Sequence, residues 1–95
     1  MATLNITEFA ENNPPTLQAA RFPKFASQDV TVGGTSAQSD AFDSHTVVIR
    51  VVTDTACYID VSADPTAAAE DTYLPANAPE YFRVTGGHKL AVIEA

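Results

Sequence analysis

From Gln28 onward, apolar residues recur at every second position in short runs broken by glycine, proline or acidic residues, the period of half-buried strands. Asp29-Val30-Thr31-Val32 is short and β-branched and stops at Gly33-Gly34, a turn signal. Residues 35–44 are polar apart from Ala37, Ala41 and Phe42 and read as a loop carrying at most one edge strand. Residues 46–53, TVVIRVVT, form the most continuous β-branched run, which suits a central strand buried over much of both faces. After a turn at Asp54-Thr55, residues 56–62 alternate, with Cys57, Ile59 and Val61 on the inner face and Tyr58 and Asp60 outside. These two runs predict a core hairpin.

Residues 63–72, ADPTAAAEDT, hold the one stretch compatible with a helical turn: Asp64 as a cap, Pro65 at the first position, then alanines. The segment has little apolar surface to anchor a helix, so a solvent-facing crossing between strands fits it equally well. Tyr73-Leu74 ends at Pro75, and residues 75–79 form a stiff loop. Residues 80–85, EYFRVT, alternate with Phe82 and Val84 inward. Gly86-Gly87 suits a two-residue hairpin turn into the last strand, residues 88–94. Several short strands at roughly ten-residue spacing predict an all-β fold, a small antiparallel β-sandwich or jelly-roll-like barrel.

The first 26 residues have a different texture. Asn12-Asn13-Pro14-Pro15 interrupts them, and consecutive prolines block both helix and ladder pairing. Leu4, Ile6 and Phe9 mark a short extended stretch before the break; Leu17, Phe22 and Phe25 follow it. The expected division is therefore an extended, Pro-interrupted N-terminal arm at 1–26 and a β-sandwich domain at 27–95. In this reading the arm lies over the domain or reaches a neighbouring molecule.

A 95-residue chain builds one modest core. The single cysteine, Cys57, excludes an intramolecular disulfide, which leaves oligomerisation as the common supplement to stability. Five basic and twelve acidic residues give a formal charge of -7 and a pI near 4.4. The basic residues are scattered singly, whereas nucleic acids and anionic membranes call for clustered Lys and Arg. Neither is an expected partner. Charged residues make up 18% of the chain, below the roughly 25% of an average soluble domain; Ala, Thr and Ser surfaces cost little desolvation when another protein covers them. The N-terminus has neither the positive nor the apolar region of a secretory leader.

The residue types that carry chemistry are present but not in working patterns. His45 and His88 begin no metal-ligand spacing, so no metal or cofactor is expected. Asp60, Ser62 and Asp64 place oxygens at alternate positions but lack the glycine and glutamate of a calcium loop. Cys57 has no neighbouring base in sequence, the serines lack a nucleophile elbow, and neither Gly-Gly pair is followed by the Lys-Ser/Thr of a phosphate loop. Asp40 and Asp43 fall in a polar loop. The expectation is a protein that is not an enzyme.

The segments ACYIDVSADPT (56–66), YLPA (73–76), EYFRV (80–84) and GHKLAVI (87–93) resemble small proteins encoded among the head genes of tailed bacteriophages. The likeness covers about the last forty residues. It implies a virion structural protein, a capsid decoration or cement protein bound to the major capsid protein, self-associating as a homotrimer and assembled in the host cytoplasm. A head-tail connector or tail-associated role is the alternative within the virion. A carbohydrate-binding module using Tyr58, Tyr73 and Tyr81 is the alternative outside it. Leu4, Ile6 and Phe9 in the arm, with outward Tyr81 and Arg83, are the expected interface residues.

Overall fold

The computed structural model describes residues 2–10 and 21–95. Eight strands run in chain order: β1 (Thr3–Ala10), β2 (Arg21–Thr31), β3 (Ala37–Gln38), β4 (Val48–Thr53), β5 (Cys57–Ser62), β6 (Thr72–Leu74), β7 (Glu80–Arg83) and β8 (Lys89–Glu94). They form two four-stranded antiparallel sheets, β2-β1-β4-β7 (sheet A) and β3-β8-β5-β6 (sheet B). No described residue is helical. The all-β expectation holds at that level.

Alternation explains the core. Leu4, Ile6, Ile49 and Val51 from sheet A meet Cys57, Ile59, Leu74, Leu90 and Val92 from sheet B in one buried cluster, with Phe82, Val84 and Val61 packed against its margin. Each fully buried aliphatic side chain contributes about 1.5–3 kcal/mol relative to exposure. The inward assignments of Cys57, Ile59, Val61, Phe82 and Val84 match this arrangement.

The expected arm is placed differently. Residues 3–10 form β1, which lies inside sheet A between β2 and β4, pairing Ile6 with Gln28 on one side and Val51 on the other. β2 runs unbroken through the proposed boundary at residue 26. The cause is the Leu4-x-Ile6-x-Glu8 alternation, which gives β1 an inner face of its own. The Pro14-Pro15 part of the expected arm lies outside the described residues.

Both expected hairpins are corners between the sheets instead. β4 belongs to sheet A and β5 to sheet B, so the Asp54-Thr55 turn carries the chain across the sandwich. The Thr53 hydroxyl donates to the Thr55 carbonyl (2.8 Å) and accepts from its N–H (3.1 Å), while the Asp54 carboxylate takes the Thr3 N–H at 2.9 Å. Bonded to β1 in this way, the turn does not fold back on β4. The same holds for β7 and β8. Val84 N–H still donates to Val47 of the sheet A side at 2.9 Å, His88 N–H closes the turn on Thr85, and Gly87 N–H bonds Phe42. Gly87 has φ of +86°, and a Cβ on Gly86 would lie 2.3 Å from the Ser44 carbonyl oxygen. One glycine supplies the left-handed backbone and the other a close approach.

Residues 63–71 are neither helical nor a solvent-facing crossing: they form a loop that joins the neighbouring antiparallel strands β5 and β6 of sheet B. Gln38 Nε2 donates to the Asp64 carboxylate (2.8 Å) and to the Pro65 carbonyl (2.7 Å), and Ala67 N–H donates to Ser36 Oγ (2.8 Å). Asp64, the candidate cap, is thereby bonded to β3, and Pro65 and Ala67 are buried. At one end of the sandwich, Ala2 accepts the Val32 N–H (3.0 Å) and Glu94 N–H donates to the Gly33 carbonyl (2.8 Å), so β1 and β8 are tied to adjacent residues after β2.

Candidate functional site

Among the described residues, no three His, Cys, Asp or Glu side chains gather to hold a metal. His45 is exposed, with Nδ1 3.4 Å from the Asp43 carboxylate, and its backbone N–H donates to the same oxygen at 2.9 Å, a local turn contact. Cys57 is fully buried, and desolvation pushes its thiol above the usual range, opposed by a side-chain bond from Thr53. A raised pKa and no access make it a core residue rather than a nucleophile.

Glu8 escapes a reading based on motifs. It is 2% exposed, on the inner face of β1 opposite Ile49. Its Oε1 accepts the Asp43 N–H and the Thr46 hydroxyl, both at 2.8 Å. Thr46 is itself buried, and its N–H donates to the Asp43 carbonyl at 2.9 Å. The carboxylate thus anchors the loop leading into β4, the same loop that Gly86 approaches. The signal in the sequence was a charge two positions beyond Ile6 in an alternating run.

The expected interface residues separate into two groups. Leu4 and Ile6 are completely buried in this chain's own core, and Phe9 is 2% exposed; they present nothing to a neighbour. Tyr81 and Arg83 are exposed on β7, pointing away from the core side taken by Phe82. Tyr81 lies opposite Arg50 of β4.

The three tyrosines do not share one platform. Tyr58 and Tyr73 are direct cross-strand neighbours on the outer face of sheet B, edge to face with ring centroids 5.6 Å apart. Ile93 lies opposite Tyr58 on its other side and extends the row. Tyr81 is on sheet A.

Tyr73 and Tyr81 nevertheless flank one side of the sandwich. β6 and β7 are the edge strands there, and between them opens a cleft of about 250 Å³ lined by Ile59, Asp60, Val61, Thr72, Phe82, Arg83 and Val84. Its floor is core and its rim is polar. Tyr73 at 55% and Tyr81 at 49% are the large hydrophobic side chains left exposed among the described residues. The opposite side is latched: Gln28 of β2 donates to the Asp40 carbonyl (3.3 Å) and accepts the Asp40 N–H (2.9 Å), tying that edge to the loop after β3. Among the described residues, one side is therefore tied across and the other is open, and the open side carries the exposed aromatics. Comparison with known proteins finds no matching family model, curated protein or solved structure.

Proposed function

We propose that this chain is a non-enzymatic structural protein of a phage virion, a decoration protein that binds the outside of the capsid through the major capsid protein and stabilises the head. The observation that carries this reading is the open β6/β7 side, where Tyr73 and Tyr81 lie on the edge strands beside a cleft with a core floor and a polar rim. Half-exposed tyrosines beside a core-lined gap suit a protein partner, because aromatic rings bring contact area at low entropic cost. The likeness of residues 56–93 to phage head-gene products supplies the setting.

The strand order supports a jelly-roll reading of the fold. Counted from β2, sheet A runs first-eighth-third-sixth and sheet B second-seventh-fourth-fifth, the interleaved order of a double Greek key. β1 takes the eighth place from the front of the chain, so on this reading the fold is a jelly roll in permuted form.

Quantitative mass spectrometry of purified particles tests the function. Decoration requires copies in the hundreds, whereas a connector ring holds about six or twelve. Particles stripped of the protein should release DNA at a lower temperature, and adding the protein back should restore them. Absence from the particle, or a ring-like copy number, would remove the decoration reading. The Tyr58–Tyr73 pair favours one competing use, stacking against a sugar. Glycan binding lost in Tyr73→Ala would establish that use instead.

A further inference from the structure

Basic residues that stand singly in the sequence are gathered by the sheet registers. Alternation from the inward Ile6, Ile49 and Phe82 turns Thr7, Arg50 and Tyr81 to the outer face of sheet A, and pairing sets the three side by side across β1, β4 and β7. The next row holds Phe9, Val48 and Arg83, and the backbone register adds Lys24 of β2 to it. Arg83 therefore stands diagonally from Arg50 on the same face, within reach of long side chains. Among the described residues the carboxylate on this face is Asp29, toward the β2 edge, and Asn5 Nδ2 holds it at 2.9 Å. Glu80, opposite Val51, belongs to the inner side, and Asp60, Asp64, Glu70, Asp71 and Glu94 belong to sheet B and its loop. A molecule with a formal charge of -7 thus carries a basic face.

Arg50 is the centre of that face. Its side chain is partly buried, yet among the described residues it has no hydrogen-bond or ion-pair partner. An arginine that gives up water normally takes an acceptor in exchange, a carboxylate above all. Half-exposed Tyr81 stands beside it, and Arg with Tyr is a pairing that anchors protein interfaces. We propose that Arg50 is the docking point for an acidic segment of a partner protein, whose carboxylate takes the guanidinium fork while Tyr81 covers the contact. Charge selects this occupant over others. A nucleic acid needs a run of cations, and the overall charge repels a polyanion. A free anion would rest on an open sheet face, where small-molecule sites are concave. A second copy brings the same net negative charge against its own. A partner's strand or loop instead delivers one or two carboxylates to the spot and spreads its remaining contact over Thr7, Val52 and Tyr81. Arg83 has a contact of its own, so Arg50 supplies the fork. The site does not depend on the capsid reading, because its partner is defined by carboxylates alone.

The test titrates a hexaglutamate peptide into the isotope-labelled full chain and follows it by NMR, with hexaglutamine as the uncharged control. At about 0.15 M salt the overall repulsion is screened beyond ~8 Å. Saturable shifts are expected at the Arg50 Nε–H and at Tyr81, centred on β4 and β7, with none from hexaglutamine. R50Q should weaken binding by about tenfold, and R50K by about threefold, since an ammonium keeps the charge but loses the two-pronged geometry. Unmoved resonances in sheet B show that each variant is folded, and R50K keeps the test valid should R50Q disturb the sheet. Shifts that are absent at millimolar peptide, as large in R50Q as in wild type, or centred away from β4 and β7 would overturn the proposal. Tighter binding of inorganic phosphate or of oligothymidylate at the same residues would do so too. Shifts of this face with protein concentration alone would overturn it in favour of a second copy.

Discussion

Replacing Glu8 with alanine isolates the anchor of the loop that enters β4. Two donors lose their acceptor: the Thr46 hydroxyl, in a fully buried residue, and the Asp43 N–H, which is partly buried. A buried donor left without a partner costs about 1–3 kcal/mol, with the partly buried one at the low end of that range. The hydroxyl can rotate toward another acceptor, and the main-chain N–H cannot. The expected loss is about 2–4 kcal/mol, a large share of the roughly 5–14 kcal/mol available to a domain of this length. Glu8→Gln keeps an oxygen in place for both donors and should cost about 1 kcal/mol, mainly from exchanging a charge-assisted bond for a neutral one. Urea unfolding at neutral pH, compared at equal slope, gives both values. If alanine costs less than about 1 kcal/mol, or glutamine as much as alanine, the carboxylate is not the anchor described.

Other outcomes follow from neighbouring features. Gly86→Ala places a Cβ against the Ser44 main chain and should destabilise more than Gly87→Ala, which meets open space but strains a positive φ at about 1–2 kcal/mol; Gly34→Ala, with nothing within 4 Å, should lie within about 0.5 kcal/mol of wild type, and thermal melts rank the three. Ile6→Ala should cost about 2–5 kcal/mol, as a core residue does, which the same melts would detect and an arm residue would not produce. Cys57 should resist thiol reagents until the protein unfolds, measured by labelling in and out of denaturant. Its folded pKa is raised, so its contribution is complete below the ordinary thiol value of 9.0 and is lost as pH rises through the folded value; Cys57→Ala should show a smaller alkaline loss of stability than wild type.

Much of the sandwich was legible because alternation reports which side of a strand is buried. Cys57, Ile59, Phe82 and Val84 point where their spacing says. Alternation does not report which strand lies alongside. A turn joining two strands with the same inner pattern fits a hairpin and a sheet-to-sheet corner equally, and both Asp54-Thr55 and Gly86-Gly87 proved to be corners. The deciding contacts are distant: Asp54 with Thr3, Gly87 with Phe42, Gly86 beside Ser44. β1 was obscured for the same reason. Its partner β4 begins nearly forty residues later, and the prolines between made residues 1–26 look detached. At the open side, the sequence placed Tyr81 and Arg83 outward; the gap beneath them exists because the edges of two sheets meet there, which no single segment encodes.

The central place of the first strand also sets a schedule. β1 is the first of the eight described strands, yet it is flanked on one side by β4, and Thr3 finds its Asp54 partner 51 positions along. Sheet B waits longer still, since β8 holds its middle. With so many pairings non-local, folding belongs in the slow, millisecond-to-second class of β domains. A growing chain that carries β1 without β4 exposes Leu4 and Ile6 with nothing to cover them. The sandwich therefore cannot close until β8, which lies between β3 and β5, is in place.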